Sequence, residues 1–227
     1  PLLANIFLHY VLDLWVKRWR GKQARGEVII VRYADDIAMG FQLRADAERF
    51  LAEARTRFAD FGLELHQEKT RLIEFGRFAA NDRERRGQGK PETFDFLGFT
   101  HICAKTRKTG SFTVMRKTTS KRMRAKVKAV KEEIRKRMHA PVPDQGKWLR
   151  AVVQGHFNYY AVPWNTFALG EFRTQVIRAW YRALRRRSHK ARRLTWPKMK
   201  RLVQTWITPV RVLHPYPNQR LIVTYPR

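Results

Sequence analysis

Asp35 and Asp36 are adjacent carboxylates inside Tyr33-Ala34-Asp35-Asp36, flanked by the apolar runs Val28-Ile29-Ile30-Val31 and Ile37-Ala38. Carboxylate oxygens are hard donors of the kind Mg²⁺ prefers. Two such ions ~3.5–4 Å apart can stabilise the attacking and leaving oxygens of an in-line displacement, which is how nucleotidyl transfer proceeds. That chemistry needs no protein nucleophile, because positioning and charge stabilisation carry it. It does need carboxylates held rigidly where a primer end and a triphosphate can both reach. A bare Asp-Asp dipeptide is an ordinary polar turn; what sets this one apart is its place between two apolar strands, after one helix pattern and before another.

The elements that would hold it are legible on either side. Leu2, Leu3, Ile6, Phe7, Tyr10, Val11 and Leu14 fall at helical spacing, with Lys17, Arg18 and Arg20 in the last turn and Gly21 as the stop. Residues 27–32 and 37–41 then read as the arms of a β-hairpin with the two aspartates at its tip. A second helix is predicted from Arg44, with Ala47, Phe50, Leu51, Ala54, Phe58 and Phe61 on one face, Asp46 at its positive end and Gly62 closing it. Residues 63–65 and 72–75 are short strand candidates, and the polar stretch from Arg77 to Lys90 reads as a mobile loop. Residues 93–100 resume strand character, with residues 111–116 as the hairpin partner.

From about Thr119 the pattern is helical. The spacing predicts helices over 121–138, 147–160, 171–187 and 196–206, with Pro141 and Pro143 breaking the chain between the first two. The stretch from Pro209 to Arg227 reads as an extended tail. Charge divides the same way. Residues 1–103 hold 17 Lys and Arg against 15 Asp and Glu, whereas residues 104–227 hold 31 against 4, within a net charge of +29. Such an excess repels itself without a polyanion, and nucleic acid is the commonest one. Lys121, Arg122, Arg124, Lys126, Lys128 and Lys131 line one helix; Arg182, Arg185, Arg186, Arg187, Lys190, Arg192 and Arg193 form a second cluster. Aromatic residues (Trp148, Tyr159, Tyr160, Trp164, Trp180, Tyr181, Trp196) interleave with them, so RNA could be held by phosphate neutralisation and stacking. Trp148, Phe157 and Trp180 nevertheless have core spacing. No stretch approaches the ~20 apolar residues of a membrane span. The lone Cys103 can form neither an internal disulfide nor a cysteine zinc site; it reads as a small packing residue in an intracellular protein. The start at Pro1-Leu2-Leu3, without methionine and directly in a helix pattern, reads as the start of a fragment.

With these residues in view, Tyr33-Ala34-Asp35-Asp36 resembles the YADD signature of reverse transcriptases. Pro1 to Phe7 resembles the helix that follows a glutamine-glycine turn in that family. Residues 61–70, ending in Lys69-Thr70, and Phe96-Leu97-Gly98-Phe99 resemble the next two family blocks, in family order. Gly155-His156-Phe157-Asn158-Tyr159-Tyr160 and residues 172–184 more loosely resemble the maturase (X) domain of group II intron proteins, and His214-Pro215-Tyr216-Pro217-Asn218 is similar to a segment of bacterial ones.

The resemblance implies an α+β fold: a partial polymerase palm (1–118) of antiparallel hairpin strands on helices, an all-helical thumb/maturase domain (119–208) of three helices, and a Pro/aromatic tail (209–227). It implies Asp35 as a Mg²⁺ ligand with Asp36 at or near the metal, Tyr33 supporting the primer terminus or site geometry, and Lys69 as a cation by the phosphates. Phe96, Leu97, Gly98 and Phe99 would form the hairpin that steadies the primer end. Partners would be group II intron RNA, an RNA template with DNA primer, and dNTPs; a homodimer of the full-length protein stays open, and the location would be cytoplasmic with the ribonucleoprotein. The family site takes another aspartate from a strand preceding the opening helix, which residues 1–227 do not supply, so these residues alone are expected to bind RNA without polymerising. The alternatives are a splicing maturase with a vestigial polymerase site, and a retron-like or defence-associated reverse transcriptase.

Overall fold

In the computed structural model, which describes residues 2–216, the chain divides between Phe75 and Gly76 into two units, each with its own core. The first opens with α1 (Leu2–Leu8), a π-helical turn (His9–Asp13) and α2 (Leu14–Lys22). This helical run is apolar nearly all round, so the sequence offers two stripes. The one that packs contains Val11, Leu12, Val16 and Trp19; of the expected stripe Val11 alone is buried, with Leu3 81% exposed and Tyr10 64%. Gly21 is not the stop: it lacks the positive φ of a helix-ending glycine, and α2 runs past it to Lys22 with Gln23 as its C-cap.

Strands β1 (Val28–Tyr33) and β2 (Asp36–Phe41) pair antiparallel from Val28 opposite Phe41 to Tyr33 opposite Asp36. Val28, Ile30, Ile37, Met39 and Phe41 turn inward onto α2 and onto α3 (Arg44–Asp60). Trp19 meets Phe50 edge-on at 5.0 Å between ring centres. Asp46, buried at the start of α3, accepts the amides of Gly26 and Arg25 at 2.9 and 2.8 Å. These bonds, the Gly26 amide first, hold its carboxyl below the usual carboxylate range. Gly62 closes α3 as expected: at φ +68 it lets Leu63 N–H reach Phe58 C=O at 2.8 Å and its own N–H reach Ala59 C=O at 3.0 Å. Residues 63–65 and 72–75 are not strands, because no neighbouring strand is there to take their hydrogen bonds among the described residues.

In the second unit, the expected loop at 77–90 contains a short helix, α4 (Ala79–Arg85), anchored by buried Ala79. The expected single strand at 93–100 is interrupted. Leu97 and Gly98 both have positive φ (+49 and +78), the combination that reverses a two-residue hairpin, so β3 (Phe94–Phe96) turns directly into β4 (Phe99–Lys105). Strand β5 (Phe112–Thr118) then pairs with the far edge of β4. Cys103 on β4 is half-buried, its Sγ accepting the Gly76 amide at 3.3 Å, and burial pushes its thiol pKa up.

Four helices complete this unit: α5 (Ser120–Lys136), α6 (Val142–Tyr160), α7 (Thr166–Arg186) and α8 (Trp196–Trp206). Pro143 does not break the chain; it occupies the first turn of α6, where its missing N–H costs no hydrogen bond. All four helices feed one core, through Val130 and Ile134, Leu149 and Phe157, Phe172 and Trp180, and Met199. Among the described residues the bundle thus has four helices, as the spacing predicts, rather than the three that the resemblance implies, because Met199 and Val203 bury α8 in the same core. Trp180 Nε1 donates to Gln145 Oε1 at 2.9 Å, which satisfies its one polar atom inside the core. Residues 207–216 run without regular structure, Leu213 and His214 both donating backbone N–H to Ala161 C=O, and residues 217–227, with the rest of the expected tail, lie outside the described residues. No described helix is long and apolar enough to cross a membrane.

Candidate active site and nucleic-acid interface

The aspartates sit at the end of the β1–β2 hairpin, one residue out of the expected symmetry: Ala34 and Asp35 form the turn, and Asp36 is the first residue of β2. Ala34 has φ +54, a conformation in which glycine usually sits. Tyr33, Asp35 and Asp36 are all exposed, and neither carboxylate has a hydrogen-bond or ion-pair partner among the described residues. Tyr33 and Asp36 face each other across the ladder and share the outward face of the ribbon with Ile29 and Val31.

The contacts behind this tip were not foreseen from the sequence. The Arg32 side chain points inward and donates from Nε and Nη2 to Asp13 Oδ1 and Oδ2 at 2.9 and 2.7 Å, and from Nη1 to Asn5 Oδ1 and the Ala34 carbonyl, both at 3.1 Å. The Arg32 hydrogen bond to Asp13 is the main reason that carboxyl titrates below the usual range. The only sequence signal was a charged residue on the inward row of an apolar strand.

As a cation site, the tip offers donors of the right chemistry, hard oxygens open to solvent. Among the described residues no group of three or more His, Cys, Asp and Glu comes together to hold a metal ion. Lys69 lies exposed on the turn at His66–Thr70 and its side chain contacts neither aspartate. A groove of about 610 Å³ runs beside α2 and β1, lined by Lys17, Arg20 and the Asp13–Arg32 pair rather than by the tip carboxylates.

Phe96-Leu97-Gly98-Phe99 makes the β3–β4 turn, and the end of α6 holds it. Tyr159 Oη donates to Leu97 C=O at 2.8 Å, Thr119 N–H to Gly98 C=O at 3.0 Å, and the Phe99 ring stacks on Tyr159 at 5.7 Å. Asn165 joins the corner after β5, accepting the Thr118 amide at 3.0 Å and donating to Thr118 Oγ1 at 2.9 Å. The segment 155–160 is thus a hub: Phe157 and His156 enter the core, Asn158 C=O meets His214 Nε2 at 2.7 Å, and the two tyrosines face the turn.

Lys121, Arg122, Arg124, Lys126 and Lys128 are all exposed on α5, and Arg122 lies near Gly98. Lys131 is half-buried beside them. In the second cluster Arg182, Arg185, Arg186, Lys190, Arg192 and Arg193 are exposed, while Arg187 is partly covered and donates to His139 C=O at 3.2 Å. Arg185 also lies over Tyr181, which stacks on the half-exposed Trp196 at 4.3 Å. Phe157 and Trp180 are core, as their spacing predicts, and Trp148 is partly buried under Arg137.

Residues 1–101 match the model of the family described as Reverse transcriptase (RNA-dependent DNA polymerase). The match spans the opening helix, the aspartate hairpin and the Phe96–Phe99 turn, and leaves the helical residues beyond it unmatched. No curated protein matches the chain.

Proposed function

We propose that these residues form the palm segment and basic thumb of a group II intron reverse transcriptase/maturase, a protein that copies RNA into DNA and also binds its intron RNA to aid splicing. The supporting observation is the pair of unpartnered, exposed carboxylates of Asp35 and Asp36 at a braced hairpin tip, within the stretch that matches reverse transcriptases. In this reading Asp35 and Asp36 hold Mg²⁺, which when bound would stabilise charge on the oxygens around the reacting phosphorus. Tyr33, next to them on the exposed face, supports the primer end, and Lys69 neutralises phosphate. The Phe96–Phe99 turn, fixed from behind by Tyr159, steadies the primer strand. The α5 and 182–193 cations neutralise RNA phosphates, so binding weakens steeply with salt. The palm would extend to about residue 118, and the protein would work in the cytoplasm with intron RNA, a primed RNA template and dNTPs, with a homodimer open to it.

The test is primer extension by the 227-residue chain on RNA with Mg²⁺, alongside a gel shift at low and high salt. RNA binding without extension is expected, because these residues provide two carboxylates where the family resemblance calls for a further aspartate. Extension that Asp35→Ala abolishes would show that the cage is completed within residues 1–227. No RNA binding at low salt would refute the thumb assignment. In an intron protein that carries the further aspartate as well, the matching substitution should stop synthesis and spare splicing.

A further inference from the structure

Arg32 does more than fill a strand position. Strand alternation places Val28, Ile30 and Arg32 on one row, and the first two pack against the core of the first unit. The third is a guanidinium only 17% exposed, which demands partners. Its fork meets Asp13 with two near-parallel hydrogen bonds, the strongest geometry available to a guanidinium. Its remaining nitrogen bridges Asn5 and the carbonyl of Ala34, the turn residue at φ +54. A non-glycine residue keeps such a φ only where its surroundings over-determine it.

The helix side of the bracket depends on the π turn. Asn5 and Asp13 are eight residues apart, which in an unbroken α-helix leaves them about 80° apart around the axis. The π turn at His9–Asp13 takes up one extra residue, cutting that offset to about 20° and letting both side chains reach one guanidinium. His9 Nδ1, 3.3 Å from Asp13 Oδ2, closes the other side of the carboxylate.

We propose that Arg32, seated by Asp13 and Asn5, is a positioning residue for the hairpin tip: by holding the Ala34 carbonyl it fixes the turn from which Asp35 and Asp36 project. The role assigned to those carboxylates rests on the reading above, but the bracket itself does not. The rival is a plain ion pair that staples β1 to the helix and leaves the tip to itself.

A charge swap separates the two. Asp13→Arg with Arg32→Asp keeps opposite charges on the two elements, yet an aspartate at position 32 has no donor for the Ala34 carbonyl. Amide hydrogen exchange at residues 34–37 and thermal melting are measured on the 227-residue chain without metal or nucleic acid, so the result is independent of any primer-extension outcome. Arg32→Ala is expected to speed exchange at the tip by about tenfold or more. The swap should recover most of the melting temperature while tip exchange stays at the Arg32→Ala level. Arg32→Gln, which keeps one donor without the charge, should protect the tip better than Arg32→Ala; it carries the test if the swap does not fold. Tip exchange within about twofold of wild type in Arg32→Ala, a swap that restores exchange along with melting, or Gln no better than Ala would each overturn the proposal.

Discussion

Replacing Gly98 by alanine should cost the second unit about 2–5 kcal/mol, the sum of two separable effects. At φ +78 a Cβ crowds its own backbone, a penalty of about 1–2 kcal/mol for an L residue. That Cβ would also lie 2.9 Å from Tyr160 Oη. The phenol cannot step aside freely, because its ring packs against His156 at 4.6 Å and Phe99 at 5.2 Å. Displacing packed side chains costs about 1–3 kcal/mol. Gly110 provides the control. It has φ +65 but nothing within 4 Å of an added Cβ, so Gly110→Ala should cost only the backbone part, about 1–2 kcal/mol. Urea unfolding followed by tryptophan fluorescence measures both, and adding Tyr160→Phe to Gly98→Ala completes a double-mutant cycle. The phenylalanine should return about 1 kcal/mol or more by removing the obstructing oxygen. Equal costs for the two glycines, or no recovery with Tyr160→Phe, would refute the claim that α6 bears directly on the turn.

Other measurements bear on the core and the charged surface. Gly146→Ala in α6 would bring a Cβ to 2.4 Å from the Trp206 ring and should destabilise by about 1–3 kcal/mol, read as a lower urea midpoint. His156 is buried against Phe172, its Nε2 has no hydrogen-bond partner among the described residues, and burial, then the charge of Lys126, lowers its pKa to about 4. The folded state therefore disfavours the protonated form: the stability this histidine contributes is full above its unfolded value near 6.5 and is lost as pH falls towards 4. By difference from His156→Phe, which cannot titrate, the wild type should lose about 3 kcal/mol by pH 4; parallel pH curves would contradict it. Changing Lys121, Arg122, Arg124 and Lys126 together to glutamine should flatten the salt dependence of RNA binding by about 0.7 in logarithmic slope per lost phosphate contact, while the melting temperature stays nearly constant.

The features legible in the sequence were those written in local chemistry. Asp35 and Asp36 stood out because two apolar strands frame them, and Gly62 because only a positive-φ residue ends α3 in that way. Trp180 was readable as core from its spacing, before its buried bond to Gln145 was known. What escaped was set by tertiary choice. Two apolar stripes on α1 and α2 are equally plausible until β1 and α3 select one, and the π turn has no simple sequence mark. The Leu97-Gly98 reversal was hidden because leucine at positive φ is unusual, and it is held there by Tyr159, far away in the chain. Arg32 was overlooked for the same reason: its partners Asn5 and Asp13 become neighbours only after the hairpin docks.

The outward face of the β1–β2 ribbon has a practical consequence for handling the protein. Ile29 and Val31 are 66% and 52% exposed, and among the described residues the ribbon has no third strand on either side. Such a surface is self-complementary, because the free edges of two copies can pair. At low ionic strength the net charge of +29 keeps copies apart. Concentrated salt, the usual means of stripping nucleic acid from a basic protein, shortens the screening length to about 3 Å at 1 M, and mutual repulsion fades just as apolar contacts strengthen. Removing the nucleic acid and keeping the protein dispersed are thus opposing demands. Ile29→Lys, a charge on the exposed face away from the core, should ease both without touching the tip.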